Sequence, residues 1–554
     1  MKCAVLTVIS ILICGAFSFA QNKPDPEILT ARQWREDLNY LAEQMPKSHK
    51  NAFHSITKEE FEAAVKRLDE RIPSLKRNEI IVELSGLAAM IGDGHTEIWL
   101  GQDEVGFHQY PLRVYLFEDG LYLQAVEARY AGLAGAKVVK IGKLSAEEAF
   151  DKVSRILARD NEMFLKAYTP RYLIVPEVLS ALRIIDDPEN GQYVVRDKSG
   201  KLTTLGFSPG KTNDDLNAWS IEAPPGTFSD NFVNARKLDK NTPLYLKNPQ
   251  DIFWYQYLPE PKTLYVKINA IRNKPDETME DFAKRVFQAV DQNDVEKFVL
   301  DLRQNGGGNN QLNEPWMLGI VKRDKINQFG KFFVIIDRHT FSAASHLVTL
   351  LERHTKAVFV GEPTGASPNH YGDAARFSLP NSHIRVDSSA LYWQNSLPWD
   401  ARLWTPPQIY TPLTFTDYIN NRDPAMEAIL DYRPGGSFPE VVSEFVENRD
   451  LAQFVRKYKS FKSDPSHIYV ETENEMNRLG YRLMGSNRLD DAIEIFKLNV
   501  ETYPQSANAY DSLAEAYMNK GNRESAIRFY RRSLELNPGN TNAAEKIKML
   551  KEKN

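Results

Sequence analysis

The chain has 554 residues, of which 42% are hydrophobic and 26% charged, with a formal net charge of −5. That length exceeds what a single hydrophobic core organises, so several domains are expected. No long basic stretch stands out, and binding to nucleic acid or to an anionic membrane surface is not expected.

The first twenty residues differ from the rest. Lys2 precedes an apolar run from Val5 to Ile13, and Ser18-Phe19-Ala20 places small residues at −3 and −1. This is the pattern of a secretory signal, cut between Ala20 and Gln21, and the run is short for a membrane span. Both cysteines, Cys3 and Cys14, fall inside it. The mature chain would then be periplasmic or secreted, without a membrane span. It would have no disulfide, no cysteine nucleophile and no thiolate metal site.

Residues 21–104 read as a helical N-terminal region. Leu38, Leu41, Phe61, Val65, Leu68, Leu84 and Leu87 recur at three- and four-residue spacings until Gly92-Asp93-Gly94-His95-Thr96 interrupts them. Residues 105–245 turn to short strands, among them Val114-Tyr115-Leu116 and Leu121-Tyr122-Leu123 around a turn at Glu118-Asp119-Gly120. Residues 246–433 alternate strand and helix. The strand texts are Leu264–Ile268, Phe298–Leu302, Phe332–Ile336 and Ala357–Val360, which argue for βαβ units in a largely parallel layer. Residues 434–465 open on Pro434-Gly435-Gly436-Ser437 and read as a linker helix. Within 466–554 a 34-residue repeat pairs Leu479 with Leu513, Ala492 with Ala526, Phe496 with Tyr530 and Pro504 with Pro538. That period and those residue types are those of tetratricopeptide repeats, closed here by a capping helix over 541–552.

Three sites have residue types suited to chemistry. Asp301-Leu302-Arg303-Gln304-Asn305-Gly306-Gly307-Gly308 follows a buried strand and exposes backbone N–H groups. It reads as a plain turn or an oxyanion hole; a phosphate loop would need a following Lys-Ser/Thr, which is missing. Ser342, in Thr340-Phe341-Ser342-Ala343-Ala344, stands at a helix N-terminus, as a cap or as a nucleophile favoured by the helix dipole. His95, on a tight turn between small residues, is either a solvated loop histidine or a group placed for proton transfer.

Taken together with Gly361-Glu362-Pro363-Thr364-Gly365, these motifs resemble the tail-specific protease clan over about residues 28–432. That clan includes the tricorn core and the interphotoreceptor-retinoid-binding-protein-like branch. The resemblance implies an α/β core of the ClpP/crotonase-like kind, a helical N-terminal region and a PDZ-like insertion around Ala131–Ile141; the all-α repeat module, read from its period, lies behind them. It implies Ser342 as nucleophile, and an oxyanion hole from the N–H of Ala343 and one from Gly306 or Gly307. The branch with a Ser-Lys dyad is excluded, because Ser367 stands where its lysine would be and no lysine occurs between Lys356 and Lys457. The tricorn-like branch uses a histidine at the position of His95. Its serine before that histidine is replaced here by Gly94, and its acid is matched most closely by Asp400, with Asp93 and Glu362 as alternatives.

The expected activity is serine-type hydrolysis of peptide bonds, with a peptide or protein substrate and no cofactor. No metal-ligand set is recognisable. Activity should rise through a histidine-like pKa near ~6.5. His370 is a candidate substrate-pocket residue, and the repeats a surface for a protein partner. A non-catalytic peptide- or lipophile-binding protein on the same scaffold is the alternative.

Overall fold

The computed structural model describes residues 29–210, 231–237, 242–433 and 437–552. The expected signal segment and Pro434-Gly435-Gly436 lie outside the described residues.

Three helices, Ala31–Ser48, Lys58–Arg71 and Arg77–Ala89, open the described chain. The first two start where the sequence offers a capping box. Thr30 is paired with Gln33 and Thr57 with Glu60, so side chains satisfy backbone donors that have no partner within the helix. Their apolar faces join one core with an antiparallel sheet whose path runs Leu112–Phe117, Gly120–Glu127, Lys137–Ile141, Gly191–Arg196, Leu202–Phe207. Two short strands, Leu144–Ser145 and Phe232–Asn234, flank that path.

A second sheet has the order Ile409–Tyr410, Val358–Gly361, Phe332–Ile336, Lys297–Asp301, Thr263–Ile268, Phe253–Leu258. Neighbours are parallel except for the last pair. Successive side chains of a strand point to opposite faces, and this sheet is covered on both. Phe298 and Leu300 meet the helices Met279–Gln292, Glu314–Val321 and Ala343–His354, while Val299 faces the layer that contains Ala425, Met426 and Ile429. Uninterrupted apolar strand text is the consequence.

A long hairpin, Asn369–Ser378 paired with Arg385–Gln394, reaches from this layer to the N-terminal helices. Leu379, Ile384 and Val386 are part of the N-terminal core, and Glu97 forms an antiparallel bridge with Asp387. This link carries the histidine turn to the parallel sheet.

Seven helices from Phe438 to Glu552 complete the chain. Those over Phe438–Asn448 and Leu451–Ser463, expected as a linker, share one apolar core with the first repeat through Phe445, Phe454, Tyr458, Met476 and Phe496. Gly480 allows the close packing of paired helices, since a Cβ there would lie 2.5 Å from the Phe496 ring.

Candidate active site

The Ser342 turn and the glycine loop lie at the ends of neighbouring parallel strands, where chains leave a sheet with their backbone groups free. Phe332–Ile336 runs into Asp337, whose carboxylate accepts from the N–H groups of Gln304 (3.1 Å) and His339 (3.0 Å) and from Thr340 Oγ1 (3.2 Å). Arg338 forms a buried two-pronged ion pair with Glu362 (2.8 and 2.9 Å), which fastens the Gly361-Glu362 turn to the same loop. Asn305 ties the two loops together: its carbonyl accepts from the Phe341 N–H (3.0 Å) and its amide donates to Ile268 (3.0 Å).

Ser342 emerges from this framework at φ 50° and ψ −127°, a conformation that non-glycine residues rarely adopt. Its hydroxyl does not cap the helix that follows; it lies 3.1 Å from His95 Nε2. For the serine O–H to donate, Nε2 must be the unprotonated nitrogen, which places the ring proton on Nδ1. Nδ1 is buried without a hydrogen bond; the Tyr371 backbone carbonyl acts on the ring but falls short of hydrogen-bond geometry. Burial first, and then the charge of His370, lower the His95 pKa to about 4, against the opposing pull of Asp93 and Tyr371. This corrects the expected value near 6.5, which assumed a solvated ring.

The turn holding His95 is anchored by carboxylates acting on its backbone. Asp93 accepts from the His95 N–H (3.0 Å), from Ser389 Oγ (2.5 Å) and from His49 Nε2 (2.8 Å), and the Asn51 N–H bonded to His49 Nδ1 sets that histidine's tautomer. Burial alone would raise the Asp93 carboxyl; the His49 and Ser389 bonds outweigh it and lower it to about 2. Asp160 accepts from the Gly94 N–H (2.7 Å), and burial pushes it up to about 8, so it stands protonated at neutral pH.

Asp400 is not brought to His95. Its carboxylate accepts from Ser396 Oγ (2.6 Å) and from Arg402 (2.8 and 2.9 Å), and although burial opposes it, these bonds hold the carboxyl down to about 2. That corrects the expectation that Asp400 orients the histidine. Glu362 is committed to Arg338, and Asp93 acts through the backbone of the turn.

His370, expected in the substrate pocket, is buried behind His95, their rings parallel at 5.9 Å. Asn310 Nδ2 donates to His346 Nδ1 (2.9 Å), His346 Nε2 donates to His370 Nε2 (3.1 Å), and His370 Nδ1 donates to the Ser367 carbonyl (2.8 Å). Every ring nitrogen in this relay is used with both rings neutral. The pair is therefore a packing wall for His95, and it corrects the pocket reading.

The oxyanion candidates separate in the same way. The Gly307 N–H donates to Asn305 Oδ1 (3.0 Å) and is not available. The N–H groups of Gly306 and Ala343 donate to no partner among the described residues. Gly307 serves by having no side chain. At φ 105° it lies so near the Ser342 turn that a Cβ would sit 2.7 Å from Ser342 Cβ and 2.8 Å from Ala343 N.

Sequence reasoning missed His49, Asn305, His346 and Asp160, whose partners lie far away in the chain. It also missed Glu97, for which a signal was present: in an extended segment residues i, i+2 and i+4 share a face. His95, Glu97 and Trp99 line one cavity with Ser342, while Thr96 and Ile98 are buried.

Comparison with known proteins agrees with this layout. Residues 262–314 match the model of Peptidase family S41, and residues 507–540 match that of the tetratricopeptide repeat. A segment similar to Peptidase family S41 thus precedes a tetratricopeptide repeat, as expected from the glycine-loop motif and from the 34-residue period. The first match covers two strands, the helix between them and the glycine loop, and ends before Ser342. No curated protein matches the sequence. Among solved structures, that of a CPAF mutant is similar in fold, at TM-score 0.50 and 10% identity over 76% of this chain and 98% of that one. The photosystem II D1 C-terminal processing protease (TM-score 0.32, 12% identity, 70% of this chain and 94% of that) is more distant. So is the tricorn protease (0.33, 12%, 72% and 36%).

Proposed function

We propose that the protein is a serine peptidase in which Ser342 is the nucleophile and His95 the general base. The observation that carries this reading is the 3.1 Å approach of Ser342 Oγ to His95 Nε2 across 247 residues of sequence. In the acylation step Ser342 Oγ bonds to the scissile carbonyl carbon, its proton passes to His95 Nε2, and the carbonyl oxygen becomes an oxyanion. The Ala343 and Gly306 N–H groups receive that oxyanion, aided by the N-terminus of the Ala343–His354 helix. Collapse breaks the C–N bond, and the amine leaves with the proton held by His95. Water then releases the acyl group by the same steps, with His95 again taking the proton.

Among the described residues no carboxylate is hydrogen-bonded to the imidazole, so the pair works as a dyad. Asp93 and the His370–His346 wall position the ring, and the imidazolium that forms is steadied by the Tyr371 carbonyl and the Asp93 charge. The antiparallel sheet of residues 112–207 is the PDZ-like part of this reading. Its terminal strand, Leu202–Phe207, pairs on one side only among the described residues and suits recruitment of an extended peptide by strand addition. The leading segment would export the chain, and the repeats would engage a protein partner. Among the described residues no helix is long and apolar enough to cross a membrane.

The test is reaction of the full-length protein with a fluorophosphonate probe, followed by peptide mapping. Labelling at Ser342, lost together with peptide hydrolysis in a folded Ser342→Ala variant, is the expected outcome. Hydrolysis that survives this substitution would refute the assignment.

A further inference from the structure

The cavity in front of Ser342, about 410 Å³, has walls that identify what enters it. Trp99, Phe164, Tyr168 and Phe341 give it aromatic sides, and Ser342 and His95 stand at one wall. Arginines 171, 376 and 385 and the carboxylates of Glu97, Asp373 and Asp387 also reach it, so its formal charges balance.

The charges are not equally engaged. Asp387 holds both Arg376 (3.2 Å) and Arg385 (3.7 Å), and the Arg171 guanidinium packs on the Tyr168 ring at 4.4 Å. The Glu97 side chain has no hydrogen bond and no ion pair with any described residue. Its backbone is fixed on both sides, the N–H donating to the Asp387 carbonyl (3.0 Å) and the carbonyl accepting from the Asp387 N–H (2.9 Å). The carboxylate is therefore held in place, two residues from the general base and on the same face of the segment. Burial, and after it the Asp387 charge, push its carboxyl up to about 7, against the opposing charges of Arg171 and Arg385. The carboxylate lines an open cavity without a partner among the described residues, and a cation seated against it would form a charge-assisted pair.

We infer that Glu97 is the specificity determinant of this cavity, which receives a lysine or arginine side chain of the substrate, its stem along the aromatic walls and its cationic head on the Glu97 carboxylate. The inference rests on the peptidase reading for the identity of the substrate, though not for the presence of the cation site. An acidic side chain would meet Glu97 and Asp373, and a short apolar one would leave Glu97 unpaired.

Two measurements on the full-length protein test it. Peptides that differ only in the residue before the scissile bond (Arg, Lys, Leu or Glu) should be cleaved with kcat/KM at least ~10-fold higher for Arg and Lys than for Leu. Glu97→Gln should bring that ratio close to one, and Glu97→Asp should restore part of it. Benzamidine binding to the Ser342→Ala variant, followed calorimetrically, reads the cation site without turnover. A second Glu97→Gln substitution there should weaken it by ~10-fold or more. A preference for Leu or Glu, or an Arg preference that survives Glu97→Gln in a folded protein, overturns the inference. So does benzamidine binding that is absent or indifferent to Glu97. Benzamidine binding that depends on Glu97, in a protein that cleaves none of the peptides, would support the cation site and count against the peptidase reading.

Discussion

Lowering the pH from about 8 to about 5 is the perturbation to which His95 should be least sensitive. On the proposed reading the base works as neutral imidazole, so activity should rise with pH through the pKa of the free enzyme's histidine and stay flat above it. Burial and His370 lower that pKa to about 4. At pH 5 roughly nine-tenths of such rings are neutral, whereas a solvated ring of pKa ~6.5 would be only about 3% neutral. The two cases therefore differ about thirtyfold in kcat/KM at one pH. Stability runs the other way. The unfolded chain takes up protons on His95 below pH ~6.5 and the folded chain does not until about 4, so folding loses stability across that window, by about 3 kcal/mol when complete. His346, His370 and His339 are likewise held neutral, chiefly by burial, and add to the same loss. The assay is kcat/KM for a short peptide, or the probe-labelling rate, from pH 4.5 to 8.5, with tryptophan fluorescence confirming the fold at each point. An inflection between pH 6 and 7 in a protein that remains folded would refute the placement of His95 in a dry pocket.

Gly307→Ala should reduce kcat by about 10²-fold or more, as loss of an oxyanion donor does. Its Cβ would press on Ser342 Cβ and on the Ala343 N–H, at a φ of 105° that disfavours any side chain. A melting temperature lowered by a few degrees should accompany this, and near-normal turnover would show that the oxyanion lies elsewhere. Tyr469, whose ring meets Trp404 at 6.2 Å and Tyr410 at 4.8 Å, packs the start of the helical module on the peptidase layer. Tyr469→Ala should cost about 1–3 kcal/mol of that docking, seen as an earlier unfolding transition of the module, with kcat on a short peptide within about twofold. A tenfold fall in kcat would mean that the module helps to shape the site.

Much of the molecule was legible in its sequence because local physics writes it there. Apolar strands covered on both faces and a 34-residue repeat each reflect interactions between near neighbours in the chain. The Ser342 turn and the glycine loop were visible for the same reason, since a serine between strand and helix and three glycines after a buried strand are local signatures. Asp400 was misjudged because its partners, Arg402 and Ser396, compete for it at short range and are not weighed by a motif. The pKa of His95 was misjudged because burial is a property of the packed molecule. Sequence by itself determined the elements, their order and the chemical types at the two strand ends. Only the tertiary structure decided which groups meet. The hairpin Asn369–Gln394 brings the Asp93–Trp99 segment onto the parallel sheet, so that Ser342 finds His95, His370 backs that ring, and Glu97 faces the cavity without a partner. The physical reason is that these pairings depend on long-range packing and desolvation, which no window of neighbouring residues contains.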